Sequence, residues 1–198
     1  MIDALLRELH AISPVEALGV VLGYLYVLLI YRRNRLGWIA GAISSVAYMY
    51  LFAGARLPMQ SSLQVYYVIM SIYGWRNWTR SERQDAGGIS RWPLRYHAAA
   101  VLAIVLASAL LAGLLRHETH AALPFLDSMT TCTCLFATWL LARLKLENWL
   151  YWIWADSLTA YMLMSQGLPL SAGLYLSYLV IAAFGLHTWL RRYRHQSP

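Results

Sequence analysis

Charge is scarce in this 198-residue chain: Asp, Glu, Lys and Arg together make up 13% of it, while 60% is hydrophobic. A soluble globular domain carries about a quarter charged residues, so the scarcity excludes an ordinary water-soluble globule. Acids are fewest, nine against sixteen bases, leaving a formal charge of +7. Such a balance would suit nucleic acid only if the bases shared one solvated face, and here they sit in short clusters between apolar runs. No nucleic-acid partner is expected. Cysteine is limited to Cys132 and Cys134, which two-residue spacing sends to different helix faces, so they cannot easily bridge and read as small packing residues. A Gly-x-x-x-x-Gly-Lys-Ser/Thr loop is absent, and no long polar stretch could house a nucleotide-binding domain. His97, His117, His120, His187 and His195 fall near the ends of apolar runs without metal-ligand spacing, so neither a metal nor another cofactor is expected. Residues 1 to 14 include Asp3, Arg7, Glu8 and Pro14 and lack the basic start, apolar core and small-residue cleavage site of a signal peptide.

What the chain has instead is apolar length. The mean hydropathy is +0.48, and runs of about 17 to 22 residues recur, each long enough to cross roughly 30 Å of hydrocarbon. Seven spans are expected, at about 15 to 31, 37 to 53, 60 to 76, 97 to 115, 126 to 142, 149 to 165 and 169 to 190. Breaker residues separate them at Gly54 to Pro58, Asp85 to Gly88 and Gly167 to Pro169. Lys and Arg divide unevenly between the two sides. Arg7, Arg56 and Arg116 lie on one; Arg32, Arg33, Arg35, Arg76, Arg80, Arg83, Arg91, Arg95, Arg143, Lys145, Arg191, Arg192 and Arg194 lie on the other. The basic side faces the cytoplasm, which puts the C-terminus inside, the N-terminus outside and an odd number of spans between.

Sliding the chain against itself by 111 residues superposes Arg32 on Arg143, Trp38 on Trp149, Tyr50 on Tyr161, Tyr67 on Tyr178, Gly74 on Gly185 and Trp78 on Trp189. Each copy holds three spans, so a fourth must return the chain to its starting side. The expectation is a single all-α transmembrane domain over 1 to 198. It would comprise a three-helix bundle at 15 to 78, a linker helix at 97 to 115 and a second, parallel bundle at 126 to 190. Gly19 and Gly23, like Gly37 and Gly41, have the spacing that lets helices approach closely.

Polar chemistry concentrates on two helices. Trp149, Trp152 and Asp156 fall within roughly 60° of arc on one face, and a carboxylate at membrane depth is costly enough to suggest a functional site. The first copy has Trp38, Gly41 and Ser45 at these positions, so one half is elaborated and the other kept small. Gln60, Gln64, Tyr67, Ser71, Trp75 and Trp78 stay within roughly 80° of one another and should face protein or water rather than lipid. Beside Arg76 and Arg80, Trp75 and Trp78 read as an interfacial aromatic belt. Tyr175 and Tyr178, the repeat equivalents of Gln64 and Tyr67, either offer hydroxyls to a central cavity or pack. Thr130, Thr131 and Thr133 are expected to bond to their own backbone.

With Glu147-Asn148-Trp149, Trp149-x-x-Trp152-x-x-x-Asp156, Tyr73-Gly74-Trp75 and the Gly185 to Trp189 ending in view, the chain resembles the PnuC family of bacterial vitamin transporters over residues 15 to 192. The resemblance implies two parallel three-helix bundles joined by a linker, a full-length relative of the SWEET architecture, in the bacterial inner membrane. It also implies uptake of nicotinamide riboside by facilitated diffusion, a cytoplasmic kinase that traps the substrate, and assembly as a homotrimer in some members. Trp149 and Trp152 would line the substrate site, Gln64 and Tyr67 would face it and Asp156 would complete it. Ser71 stands where many relatives have Asn, which leaves room for another vitamin.

The residues agree with that implication. An indole face attracts a pyridinium cation with roughly 1 to 2 kcal/mol once water is excluded, and Gln64, Tyr67 and Tyr178 suit ribose hydroxyls. A thiamine or other vitamin carrier is the alternative within transport. A membrane enzyme using Asp156 as acid or base would need a second positioned group that the sequence does not supply, so no enzymatic activity is expected.

Overall fold

The computed structural model describes residues 13–54, 58–83, 88–115, 123–167 and 169–196. Seven α-helices form among the described residues: α1 (Pro14–Tyr31), α2 (Leu36–Gly54), α3 (Pro58–Arg83), α4 (Leu94–Leu115), α5 (Pro124–Ala142), α6 (Asn148–Ser165) and α7 (Pro169–Gln196). Expectations about the leader and about Arg56, Arg116, His117 and His120 fall outside these residues.

The helix ends follow from local chemistry. Ser13 caps α1 by accepting the Glu16 N–H at 3.1 Å, Pro14 occupies the first turn where no donor is needed, and Glu16 complements the positive end of the helix dipole. α5 also starts on a proline, Pro124, with Asp127 in its first turn. Gly167, at φ 73°, terminates α6 in the left-handed region that side chains resist. The expected spans match these helices closely except at the C-terminal ends of α3 and α7, which continue to Arg83 and Gln196. Hydropathy falls there, but Arg and Gln are good helix formers, so the helix outlasts the apolar run.

Five of the seven helices are long and apolar enough to cross a membrane: α1, α2, α4, α5 and α7, with α4 the most apolar at mean hydropathy 2.2. α3 and α6 fall outside that set. They are the two helices on which the sequence concentrates its amide, hydroxyl, indole and carboxylate groups.

The chain divides into two compact units, one ending at Thr79 and the other beginning at Arg80. In the first, α1 packs on α2. Tyr26 of α1 covers Gly41 of α2, and the Ser44 hydroxyl donates to the Gly19 carbonyl at 2.8 Å, so the small-residue positions do bring the two backbones together. In the second unit α4 packs on α5, α5 on α6 and α6 on α7. Thr130 and Thr133 donate to the Asp127 and Met129 carbonyls of their own helix, as expected. Cys132 and Cys134 are free thiols.

Candidate functional site

Local geometry positions α6. The chain leaves α5 through a turn in which Leu144 takes φ 55°, and the buried Asn148 amide donates to the Lys145 carbonyl at 2.6 Å, which sets the first turn of the helix. Trp149 then projects into α7. Its six-membered ring lies against Gly185, where a β-carbon would overlap it, and stands at 83° to the Trp189 ring with centroids 5.6 Å apart. Only 2% of Trp149 is exposed, and its indole N–H is buried without a hydrogen-bond partner.

The first unit contains the same knot. Trp38 lies against Gly74 and meets the Trp78 ring at 87° and 5.4 Å, again with a buried, unpartnered N–H. The connection before Trp38 holds Arg33 at φ 60°, as the one before Trp149 holds Leu144. Trp78 is thus a core residue rather than part of an interfacial belt. A belt needs the ring at the headgroup level, whereas the missing side chain of Gly74 lets Trp38 reach in and enclose it. Trp75 keeps the more open position, with the Arg35 guanidinium 5.3 Å from its ring.

The remaining expected residues fall in two groups. On α6, Trp152 is half-buried and packs against the cluster of Ala137, Leu140 and Tyr151. Asp156 is 6% exposed. Of the three residues predicted to share a face, Trp152 packs toward α5 and Trp149 on α7, while Asp156 is buried. Tyr175 and Tyr178 of α7 are half-buried and pair edge to face at 5.9 Å. On α3, Gln64 and Tyr67 are half-buried and Ser71 is buried, whereas Val65, Ile69 and Ile72 on the opposite face are exposed. Gln64, Tyr67 and Ser71 thus lie on the covered side of the helix, whereas Gln60, the first residue of the expected stripe, is exposed.

One polar cluster was not anticipated. Glu147, buried just before α6, accepts from Arg91 Nε at 3.2 Å and from the Trp92 backbone N–H at 3.3 Å. His97 Nε2 stands 4.0 Å from the same carboxylate, and its Nδ1 lies 3.0 Å from the Tyr151 hydroxyl. The segment before α4 is clamped here by a short parallel bridge: Ser90 N–H donates to Leu144 O at 3.0 Å, and Leu146 N–H to Ser90 O at 2.9 Å. Sequence patterning offered one clue, since Glu147 is the only acid in 88–97 and 143–148. The partners lie 50 residues or more away, beyond the reach of helical periodicity.

A cavity of about 690 Å³ opens beside this cluster, lined by Trp92, His97, Ile104, Glu147, Tyr151 and Trp154 among others. Tyr151 and Trp154 reach it from α6 and Glu147 from just before that helix, while Trp149, Trp152 and Asp156 are not among its lining residues.

The chain matches the protein family described as nicotinamide mononucleotide transporter over residues 13–191. It is 24% identical to the nicotinamide riboside transporter PnuC of Escherichia coli (strain K12), in an alignment covering 94% of this chain and 89% of the relative. It is 23% identical to the riboflavin/roseoflavin transporter RibM of Streptomyces davaonensis, covering 92% and 87% respectively. Its fold is similar to that in the crystal structure of the vitamin B3 transporter PnuC, with a TM-score of 0.74 and 23% identity over 99% of this chain and 88% of that one.

Proposed function

Because the chain belongs to the nicotinamide mononucleotide transporter family, we propose that it is a membrane transporter that carries nicotinamide riboside by facilitated diffusion. The family match over nearly the whole chain carries this reading, and transport rather than catalysis is the role named for its relatives. Relatives named for nicotinamide riboside and for riboflavin are about equally similar, so the vitamin must be chosen on chemistry. None of the expected contact residues is basic and one, Asp156, is acidic. A carboxylate repels the phosphate of a mononucleotide. It also lacks a charged partner if the guest is neutral riboflavin, and a buried unpaired charge is costly. The cationic pyridinium of nicotinamide riboside suits both Asp156 and an indole.

In this reading Trp152 and Asp156 contact the substrate, with Gln64, Tyr67, Ser71, Tyr175 and Tyr178 supplying amide and hydroxyl groups. Trp149 holds α6 on α7 and so positions them. α1 to α3 and α5 to α7 form two parallel three-helix repeats joined by α4, as in a full-length SWEET relative. The paired Trp-Gly-Trp knots and the two left-handed turns, each 111 residues apart, support that organisation. Rocking of one repeat against the other would expose the site alternately. The basic connections support a cytoplasmic C-terminus, on the side where a kinase would trap the product, and a homotrimer is the assembly we favour.

The test is saturable uptake into liposomes holding the purified protein. Trp152→Ala should abolish nicotinamide riboside uptake, and unchanged uptake would remove Trp152 from the site. Riboflavin moved in preference to nicotinamide riboside would establish the second reading, which the similarity to RibM favours. Acceleration by a proton gradient at constant membrane potential would exclude simple facilitated diffusion.

A further inference from the structure

The cavity between α4, α5 and α6 is used by nothing above. It is polar at one end, where Arg91, His97 and Glu147 meet, and apolar along Val101, Ile104 and Val105 of α4. Lining residues run along α4 from Leu94 to Val105, eleven residue steps and so roughly 16 Å. One leaflet of a bilayer core is about half of 30 Å, or roughly 15 Å. The groove thus has the length of a lipid chain that begins at the polar boundary and stops near the midplane.

Charge at the mouth selects the headgroup. Arg91 remains 58% exposed although its Nε is bonded to Glu147. Lys145 Nζ donates to the Ser90 hydroxyl at 2.9 Å, beside Arg91. Arg143 lies 4.6 Å from the Trp139 ring, itself 5.3 Å from Trp92, and Arg95 lies on Tyr96 in the first turn of α4. Arg91 is thus the cation in the lining itself, with Lys145, Arg143 and Arg95 on the flanking segments, while Glu147, the one acid among the described lining residues, is buried and turned toward Arg91 and the Trp92 N–H. We infer that this groove is a binding site for one anionic phospholipid, its phosphate held by Arg91 and its neighbours and an acyl chain laid along α4 between Trp92 and Trp154.

The site is separate from the cargo site proposed above, because neither Trp152 nor Asp156 lines it. It lies against α4, α5 and α6 within the second unit, beside the segment that Glu147 clamps, and so would make α4 packing sensitive to membrane charge.

Native mass spectrometry of the full chain released from nanodiscs tests this. With phosphatidylglycerol and phosphatidylcholine at equal mole fraction, one phosphatidylglycerol should survive collisional activation in preference to phosphatidylcholine, by about fivefold for each basic side chain engaged. Val101→Trp fills the groove from a half-exposed position and should remove that adduct, whereas Val180→Trp, on an exposed position of α7, should keep it. Circular dichroism of each variant in the same nanodiscs reports whether it is folded, and Arg91→Gln should reduce the phosphatidylglycerol preference even if Val101→Trp does not fold. Equal retention of the two lipids, or an adduct unaffected by groove filling, would overturn the assignment. So would cysteine cross-linking at Val101→Cys between copies, which would show that another subunit covers the groove.

Discussion

Glycine-to-alanine substitution at Gly185 and at Gly113 should have opposite effects, although both glycines are helical. At Gly185 an added β-carbon falls 2.5 to 2.6 Å from three atoms of the Trp149 ring. Carbon atoms rest at about 3.5 to 4.0 Å, so roughly 1 Å must be recovered. The ring cannot yield it easily, because only 2% of Trp149 is exposed and it also meets the fully buried Trp189 one turn further along α7. Forced overpacking of this kind costs about 1 to 3 kcal/mol. At Gly113 nothing lies within 4 Å of the new carbon, and only the helix-propensity gain of about 1 kcal/mol remains. Both variants receive that gain, so their difference isolates the overlap. At about 2 to 4 °C per kcal/mol for a chain of this size, Gly113→Ala should melt roughly 2 to 12 °C above Gly185→Ala in differential scanning fluorimetry in one detergent. Trp149→Phe should recover part of the loss in the Gly185→Ala background by shrinking the ring. Equal melting temperatures for the two alanine variants would refute the claim that Trp149 is locked in place, and with it the positioning role assigned to that residue.

Asp156→Asn should raise the apparent KM for nicotinamide riboside uptake by about tenfold, the loss of roughly 1.4 kcal/mol of charge pairing, while leaving any riboflavin transport nearly unchanged; an equal loss for both would mean that the carboxylate is structural. Glu147→Ala should lower the melting temperature by several degrees, since it removes charge-assisted bonds to Arg91 and to the Trp92 N–H worth about 1.5 to 3 kcal/mol. Hydrogen exchange should then show increased opening of residues 88 to 97, and unchanged protection would dissolve the proposed clamp.

The two halves of the candidate site differed in how much of them could be read from the sequence. Asp156 announces itself, because an acid inside an apolar run has few cheap explanations. The stripe from Gln64 to Ser71 is legible because 3.6-residue periodicity fixes which residues share a side, and the exposed Val65, Ile69 and Ile72 confirm the other side. Trp149 shows where this logic stops. A helical wheel puts it with Trp152 and Asp156, but a wheel carries no information about which neighbour fills each direction. Gly185, 36 residues away, decides that the indole is enclosed.

By itself the sequence determined an all-helical membrane protein, the number of its helices, their bounds except at the C-terminal ends of α3 and α7, and the 111-residue correspondence between Trp38 and Trp149. These depend on apolar length, turn chemistry and periodicity, which act over a few residues and leave a local trace. Only the tertiary structure decided that Trp78 belongs to the core, that Glu147 clamps the segment before α4, and that a leaflet-long groove runs apart from Trp152 and Asp156. Those outcomes depend on backbones approaching where a side chain is missing and on charges meeting across distant turns, and neither leaves a periodic mark on the chain.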